Sequence, residues 1–590
     1  MKVLSCILGF ITFLKIVLSQ ESEVPEKTCS LMFGYNSKYN YLCGNFKVDF
    51  DFNDADRDKI LISCLDNANL LMFDYNTSSW FDREINYSKI QEYSIKNCDI
   101  NAFTGFSAIF AILIVNSRSF TLSMTTKNVK LSKCNYFQRY ENFTKFEIAA
   151  SGNVLIKKKT FDNVTSLQTM IIRNNENVFL TRMKLENLNY LSLIDNKQLN
   201  FTNDVFQDMH SLQYLKMYSN NLESLNADLF HGLNQLKHLD LRDNNLIRIS
   251  EMLFEKLHNL KQLNLDNNIL NDIPEGLLKD CKNISEINLS NNFLTQLPEN
   301  LFNGLENLSV INIYNNYLTI LPPNLVKNLK SLSYFSINEN KLEAVENNMF
   351  IDLKKLGIID LSNNQMTNLS EEGNILGLST HVEEIYLYNN KLEQISQDLF
   401  RNGKNLKIIQ LQSNKLSKIP ENLFVGLHLL KIVDLSDNIL TELPRDLLAD
   451  SIHLKEIRLA NNRIKAVSGF FFQNCKVLSF LTLSNNRLES LPTYLFGNLR
   501  NLKELRLDSN NLTTLPVYLF IDLESLIALN LSNNCLNQLP EYIFRKLNYL
   551  QKLDLSYNQL VNVNERLFQT CKNLHYTNLE HNSISRCIIT

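Results

Sequence analysis

An asparagine that returns at a fixed interval constrains this chain more than any other feature. The interval is 24 residues throughout, apart from one step of 26 between Asn364 and Asn390. We call these asparagines the marks, and they are Asn196, Asn220, Asn244, Asn268, Asn292, Asn316, Asn340, Asn364, Asn390, Asn414, Asn438, Asn462, Asn486, Asn510, Asn534, Asn558 and Asn582. Such a long internal repeat predicts one extended domain of stacked turns instead of several globular domains.

The copy from Leu502 to Leu526 shows why each turn needs these residue types. Leu505 and Leu507 alternate with charged residues, which predicts a short strand with one buried face. Asn510 then supplies a bend, because a buried amide can donate to one backbone carbonyl and accept from another N–H. Phe520 lies in the return segment and is predicted to fill the interior. No turn can bury its own apolar face, so neighbouring turns must stabilise one another.

The pattern L-x-x-L-x-L-x-x-N-x-L resembles the leucine-rich repeat family. The resemblance implies an α/β solenoid, a leucine-rich repeat horseshoe of roughly twenty turns with a parallel β-sheet on its concave face. It covers residues 86–590, with degenerate copies in 86–175 and regular copies in 176–590. In the first degenerate copy Cys98 stands in the asparagine position, and Leu122 opens a copy that fits less well.

Residues 1–19 are predicted to be a secretory signal peptide, because an apolar run follows Lys2 and small residues precede a cleavage site after Ser19. A membrane anchor is the alternative. The longest later apolar run, residues 108–115, is too short to span a bilayer, and the final residues are polar. We therefore expect a secreted protein with no membrane anchor of its own.

Residues 20–85 show no repeat and contain Cys29, Cys43 and Cys64. The family resemblance implies an irregular, disulfide-bonded N-terminal cap that covers the first turn. We prefer a pair between Cys29 and Cys43, although the cysteine spacing departs from the common cap of the family. Cys98 is a further candidate for a disulfide.

The remaining cysteines separate by their position in the repeat. Cys281, Cys475 and Cys571 occupy a leucine position, which predicts buried thiols. Cys587 also occupies a leucine position, and a pair with Cys571 is an alternative. Cys535 follows a mark directly, at a position that is polar in most copies, so it is a candidate exposed thiol or intermolecular bridge. No C-x-x-C motif is present, which argues against a zinc site.

Eleven sequons of the form N-x-S/T agree with a secreted glycoprotein, although a chain rich in Asn, Ser and Thr also makes sequons by chance. Asn288 and Asn530 would place a glycan on the exposed side of a strand. The eleven candidates are Asn76, Asn86, Asn142, Asn163, Asn200, Asn283, Asn288, Asn307, Asn368, Asn511 and Asn530.

Composition and residue placement argue against nucleic-acid binding and catalysis. The chain has 59 Lys and Arg against 62 Asp and Glu, whereas phosphate binding needs a concentrated basic face. The 9 histidines are scattered, and none has a serine, cysteine or carboxylate at a matching position in the repeat. We therefore expect no enzyme, no cofactor and no metal.

Two groups of tyrosines at exposed strand positions are the candidate ligand-binding residues. The first group contains Tyr190, Tyr214 and Tyr218 with Arg242 beside them, and the second contains Tyr314, Tyr334, Tyr386 and Tyr388. Exposed tyrosines supply contact area at low entropic cost and are enriched at protein interfaces. Alternatively, tyrosine is present because it packs well across strands.

The regular 24-residue copies look most like Toll-like receptor ectodomains and chaoptin-type invertebrate proteins. This resemblance implies a recognition protein that binds a protein or a microbial-surface ligand, as an immune receptor or a soluble decoy, and a homodimer is compatible with it. An extracellular adhesion or matrix protein that self-associates is the alternative. The end of the sequence lacks the Cys-rich cap, membrane helix and signalling domain of Toll-like receptors, so the chain is either a stand-alone form or incomplete.

Overall fold

The computed structural model describes residues 143–149, 152–162, 164–346, 349–350, 352–369 and 380–584, and the backbone of strands within 29–131 and at 586–587. The predicted signal peptide, the sequons at Asn76, Asn86, Asn142 and Asn163, and Cys98 lie outside these residues. The chain divides into two units, Met1–Asn288 and Leu289–Thr590. Both contain parallel β-solenoid turns, about 17 regular turns in all, which confirms the predicted repeat architecture.

The first unit contains an N-terminal sheet and a long parallel sheet. Its strands are β1 (Cys29–Phe33), β2 (Lys38–Cys43), β3 (Phe46–Asp51), β4 (Asp58–Cys64), β5 (Ile90–Lys96), β6 (Leu122–Ser123), β7 (Asn128–Leu131), β8 (Lys145–Ala149), β9 (Asn153–Ile156), β10 (Thr169–Arg173), β11 (Asn177–Leu180), β12 (Tyr190–Ile194), β13 (Gln198–Phe201), β14 (Tyr214–Lys216), β15 (His238–Asp240), β16 (Gln262–Asn264) and β17 (Glu286–Asn288). The long sheet joins β6, β8, β10, β12 and β14 to β17, so the degenerate copies also form strands. Strands β7, β9, β11 and β13 form a second parallel sheet.

The N-terminal sheet is an antiparallel meander of β1 to β4, with β5 parallel to β4. Its backbone register places Cys29 opposite Cys43, and Phe46 opposite both Cys43 and Cys64. The pair preferred from the sequence is therefore a pair of direct cross-strand neighbours, whereas Cys64 lies two strands away from Cys43. The register supports a Cys29–Cys43 disulfide, which stays a prediction.

We expect a non-reducing digest of the protein to yield a peptide that links Cys29 to Cys43. Cys43→Ser should then lower the stability of this sheet by about 3 kcal/mol, the value for a closed loop of about 15 residues. Mass spectrometry of the digest and thermal unfolding of the variant check both points, with Cys64→Ser as the control. A peptide that links Cys29 to Cys64 would contradict the assignment.

The second unit repeats the same turn with little variation. Its strands are β18 (Val310–Asn312), β19 (Tyr334–Ser336), β20 (Ile358–Asp360), β21 (Asn368–Leu369), β22 (Glu384–Tyr386), β23 (Gln394–Ile395), β24 (Ile408–Gln410), β25 (Ile432–Asp434), β26 (Glu456–Arg458), β27 (Phe480–Thr482), β28 (Glu504–Arg506), β29 (Ala528–Asn530), β30 (Lys552–Asp554), β31 (Asn562–Val563), β32 (Tyr576–Asn578) and β33 (Arg586–Cys587). Twelve of them, β18 to β20, β22, β24 to β30 and β32, form its long parallel sheet. Strands β21 and β23 pair separately, as do β31 and β33.

The return segments are built from turns, although the expected fold class was α/β. In one return, Leu519 donates its N–H to the Pro516 carbonyl at 3.1 Å, and Ile521 donates to Tyr518 at 3.2 Å. A return of six residues is long enough for such successive turns. It is too short for an α-helix of two turns, which needs about seven residues. Within the described residues the helical segment is a 3-10 helix, Glu565–Phe568.

The marks form the predicted ladder of buried amides. Asn510 donates through Nδ2 to the carbonyls of Leu483 at 2.9 Å and Leu507 at 3.1 Å, and its Oδ1 accepts the Leu488 N–H at 3.1 Å. The marks from Asn196 to Asn558 are buried. Each mark thus ties its own bend to the preceding turn.

The residue before each mark has a left-handed backbone, which the sequence analysis did not anticipate. Asn485 has φ of +51°, and Ser509 has +56°. Asparagine tolerates this conformation better than other non-glycine residues, which explains the frequent Asn-Asn pair at the bend. Tyr557 and His581 adopt the same conformation, at +53° and +56°, and their rings stack at 4.2 Å.

The described cysteines follow their positions in the repeat. Cys281 and Cys475 are fully buried, and burial raises the pKa of each thiol to about 12, as expected for thiols that replace leucine. Cys571 is also buried, with Sγ 3.8 Å from the Phe544 carbonyl oxygen, while its pairing with Cys587 stays a prediction. Cys535 has a free thiol and is half-buried, so it is less accessible than the predicted exposed thiol, and its part in an intermolecular bridge stays a prediction.

Candidate functional site

Each strand of the long sheets presents residues on an exposed surface, which we call the strand face. Since the strands are short and in register, equivalent residues of successive turns form columns across the sheet. In the first unit one column joins Tyr190, Tyr214, His238, Gln262 and Glu286. The tyrosines predicted from the sequence therefore lie in neighbouring positions of a single column.

The rings of this column are in contact, and we call Tyr190, Tyr214 and His238 the first aromatic cluster. The centroids of Tyr190 and Tyr214 are 6.2 Å apart, and His238 stacks on Tyr214 at 4.5 Å with an interplanar angle of 4°. The Nδ1 atom of His238 lies 2.6 Å from Gln262 Oε1, and Gln262 Nε2 donates to Glu286 Oε2 at 2.9 Å. This network fixes the orientation of the imidazole, whereas the sequence indicated only that the histidines are scattered and lack catalytic partners.

Two cations flank the first aromatic cluster. The Lys216 ammonium lies 5.8 Å from the Tyr190 ring, and the Arg242 guanidinium lies 4.5 Å from the Tyr218 ring. Arg242 also approaches Asp240 at 3.5 Å, and burial raises the pKa of that carboxyl while the guanidinium opposes the rise. The predicted residues Tyr218 and Arg242 therefore form a cation–π pair beside the column.

In the second unit the structure brings together some of the predicted tyrosines. Tyr386 and Tyr388 are in edge-to-face contact at 6.5 Å, and the Tyr386 hydroxyl donates to Glu384 at 2.5 Å. Burial and then this hydrogen bond raise the pKa of Tyr386, so its phenol stays a neutral donor. Tyr334 occupies the same column as Glu384, with Ile358 between them.

Tyr314 is the predicted residue that the structure does not place with Tyr388. Both lie two residues before a mark, but their turns are separated by the turns that contain Asn338 and Ser362. Tyr314 belongs to the turn next to Tyr334 instead. The second group of tyrosines is therefore spread over four turns, with Tyr386 and Tyr388 as its contact pair.

The structure also shows a column that the sequence analysis missed. In the second unit the residues six positions before the marks from Asn316 to Asn534 are half-exposed and mostly apolar, and the column continues with the exposed residues Lys552 and Tyr576. We call its large apolar members the apolar stripe: Val310, Tyr334, Ile358, Ile408, Ile432 and Phe480. Glutamates interrupt it at Glu384, Glu456 and Glu504. A comparison of one repeat position across all copies would have found it, because exposed strand positions elsewhere are mostly polar.

Phe480 lies between two guanidinium groups at one end of the apolar stripe. Arg458 and Arg506 each approach its ring at 5.7 Å. Arg458 pairs with Glu456 at 2.5 Å, and Arg506 pairs with Glu504 at 2.6 Å. The charges are thus locally balanced, and the arginines leave about half of their side chains exposed, at 48% and 52%.

The sequons within the described residues are accessible. Asn200, Asn283, Asn307, Asn368 and Asn511 are exposed, whereas Asn288 and Asn530 are half-exposed on strands β17 and β29. Glycosylation of these residues stays a prediction.

In the described part of the chain, no three histidine, cysteine, aspartate or glutamate side chains are grouped so that they could hold a metal ion. No helix in those residue ranges combines the length and hydropathy of a transmembrane segment.

Comparison with protein families matches the chain to a model described as leucine rich repeat. It covers residues 186–246, 216–270, 236–294, 258–318, 282–342, 380–448, 452–512 and 500–560, which together exceed half of the chain. A search of curated proteins gives no significant match.

Similar solved structures share the repeat architecture. A leucine-rich repeat protein of Leptospira interrogans is 31% identical, with 64% of this chain and 93% of that chain aligned and a TM-score of 0.56. Toll, solved in the Toll–Spatzle complex of Drosophila, is 20% identical over 92% of this chain and 69% of that chain, with a TM-score of 0.67. The TLR13–ssRNA13 complex contains a chain that is 20% identical, with coverages of 84% and 79% and a TM-score of 0.54. For the two structures that are 20% identical, the likeness establishes the fold alone.

Proposed function

We propose that this chain, which belongs to the leucine-rich repeat family, is an extracellular recognition protein that binds a protein ligand on the strand face of its second unit. The apolar stripe is the observation that carries this proposal. Apolar and aromatic side chains that stay half-exposed in register, with charged residues between them, resemble the core and rim of a protein interface.

Tyr334, Ile358 and Tyr386 are the proposed centre of this interface. Tyr386 is held by Glu384 and packs against Tyr388, so its ring is oriented before a ligand arrives. A pre-oriented aromatic loses little conformational freedom on binding, which favours affinity. Burial of these three side chains by a ligand would stabilise the complex by about 25 cal/mol for each Å² of apolar area removed from water.

The surrounding charges favour a protein ligand over a nucleic acid. Glu384, Glu456 and Glu504 interrupt the apolar stripe, and each of the two arginines beside Phe480 is paired with a carboxylate. A phosphate backbone requires unpaired cations at many positions. The TLR13 chain was solved with single-stranded RNA, whereas Toll was solved with Spatzle, and the strand face here suits the second kind of ligand.

The proposed setting is recognition outside the cell, as an immune receptor of the Toll type or a soluble decoy. Support comes from the predicted signal peptide, the accessible sequons and the likeness to Toll, whose complex with Spatzle is a molecular hub in Drosophila development and innate immunity. Self-association as an adhesion or matrix protein is the competing outcome of the experiment below.

The test is capture of a partner by the protein recovered from the medium of secreting eukaryotic cells, followed by measurement of the affinity for that partner. The double variant Ile358→Ser/Tyr386→Ala should raise the dissociation constant by about tenfold or more, because residues at the centre of an interface contribute at least about 1.4 kcal/mol to the binding free energy. Both side chains are half-exposed, so the thermal midpoint should stay near that of the parent protein.

The matched control is Tyr190→Ala, which removes an aromatic residue from the strand face of the first unit. An equal loss with both variants would contradict a site centred on the second unit. Retention of the protein inside the cells would contradict the extracellular setting. Capture of further copies of the chain, with no other partner, would favour the adhesion alternative.

A further inference from the structure

The return segments of the second unit carry a second ordered array of aromatic side chains, away from the strand face. Phe470, Tyr494, Tyr518 and Tyr542 lie eight residues after successive marks. They are 55%, 64%, 43% and 54% exposed. We call them the aromatic column. Exposed aromatic residues at one repeat position in four consecutive turns form a patch that needs an explanation.

The four side chains have equivalent backbone settings. The carbonyls of Tyr494, Tyr518 and Tyr542 each accept an N–H from the residue three positions later, at 2.9, 3.2 and 3.2 Å. Two residues after each member of the column, a buried phenylalanine stacks on its counterpart in the next turn. The centroid separations of Phe472, Phe496, Phe520 and Phe544 are 6.2, 6.2 and 6.3 Å. The exposed rings therefore follow a fixed spacing of one per turn.

A polar groove lies at the end of the aromatic column. It encloses about 500 Å³ and is lined by Glu541, Tyr542, Arg545, Arg566, Leu567, Gln569 and Thr570. The Arg545 guanidinium lies 5.4 Å from the Tyr518 ring, so it links the groove to the column. At the opposite end, the Arg445 guanidinium lies 4.7 Å from the Phe470 ring. Donors and acceptors thus stand directly beside the aromatic surfaces.

We propose that the aromatic column and its groove bind a linear glycan. One face of a pyranose ring presents C–H groups that pack on an aromatic ring, while its hydroxyls need donors and acceptors at the ring edge. A linear glycan repeats such a ring at regular intervals, as the column repeats its aromatic side chains. The guanidinium, carboxylate and amide groups of the groove supply partners for the hydroxyls.

The shape of the array favours a narrow polymer over a second copy of the protein. The column is a single file. Its members directly follow Gly469, Thr493, Val517 and Glu541, of which Thr493 and Glu541 are exposed polar residues and Val517 is 44% exposed, so one apolar neighbour adjoins the column. A stable protein interface requires about 800 Å² from each partner with a continuous apolar core. A chain one sugar wide requires no such area.

The experiment is calorimetric titration of the full chain, produced in secreting eukaryotic cells, with chitohexaose and with cellohexaose. We expect one of the two to bind, and the double variant Tyr494→Ala/Tyr518→Ala to weaken that affinity by about tenfold or more. The matched control is Tyr549→Ala, which removes a 61% exposed tyrosine at a different repeat position and should leave the affinity unchanged.

Three outcomes would overturn the proposal. The first is absence of binding of both hexaoses at millimolar concentration. The second is an equal loss with Tyr549→Ala. The third is concentration-dependent dimerisation that Tyr494→Ala/Tyr518→Ala abolishes, which would assign the column to a second copy of the chain. Glycan binding that survives Ile358→Ser/Tyr386→Ala separates this site from the proposed protein interface.

Discussion

Replacement of Phe520 by alanine is expected to lower the free energy of unfolding by about 3–5 kcal/mol. Phe520 is fully buried and stacks between Phe496 at 6.2 Å and Phe544 at 6.3 Å. Its removal opens a cavity that crosses turn boundaries, and neighbouring turns cannot collapse into it without losing their register. The denaturant midpoint, followed by circular dichroism, measures this effect.

The control for this variant lies two residues earlier. Tyr518→Ala removes a ring of similar size from the same return segment, but Tyr518 is 43% exposed, so the change should stay within about 0.5 kcal/mol. Similar losses with both variants would show that the stacked phenylalanines are not the core of the returns. The comparison also establishes that Tyr518 variants are folded when their binding is measured.

The fold was predictable because burial leaves few choices at the bend. A buried turn needs a side chain that both donates and accepts, and asparagine meets this need in every regular copy. The same reasoning found the leucine positions of Cys281 and Cys475, which the structure confirms as buried thiols. Degenerate copies were harder to read, yet Leu122 still opens a strand of the long sheet because the sheet extends from its neighbours.

The candidate site was predictable in part, because exposed columns depend on comparison across turns. Tyrosines were recognised by residue type, and the first aromatic cluster confirms that Tyr190 and Tyr214 are neighbours. The isoleucines of the apolar stripe look like core residues in any single copy, so Ile408 and Ile432 were overlooked. The stack of His238 on Tyr214 depends on ring orientation, which no sequence pattern specifies.

The left-handed residue before each mark illustrates a further limit. The frequent Asn-Asn pair was visible, but its backbone conformation was not predicted from it. Tyr557 has φ of +53° without the side-chain advantage of asparagine, and stacking on His581 accompanies this strain. A left-handed backbone at a residue such as Tyr557 is imposed by the repeat, so the identity of that residue alone does not predict it.

Replacement of Asn510 by alanine is the second substitution with a large expected effect, a loss of about 1–3 kcal/mol in the free energy of unfolding. The variant leaves the buried Leu488 N–H without its acceptor. The carbonyls of Leu483 and Leu507 lose one of two amide donors and keep Asn486 Nδ2 at 3.1 Å and Asn534 Nδ2 at 3.0 Å. A buried N–H that loses its partner costs about 1–3 kcal/mol. Unfolding by denaturant measures the total.

Asn537→Ala is the matched control for the Asn510 variant, since Asn537 is an exposed asparagine in a neighbouring turn and should change stability by less than about 0.5 kcal/mol. Asn510→Asp separates the two halves of the ladder, because a carboxylate retains the acceptor for Leu488 and loses the donor for Leu483 and Leu507. Its stability should therefore not exceed that of the parent protein. If Asn510→Ala were as stable as Asn537→Ala, the amide ladder would not stabilise the bends. Packing of the leucines and phenylalanines alone would then maintain the register of the turns, which aligns the strand face and the aromatic column.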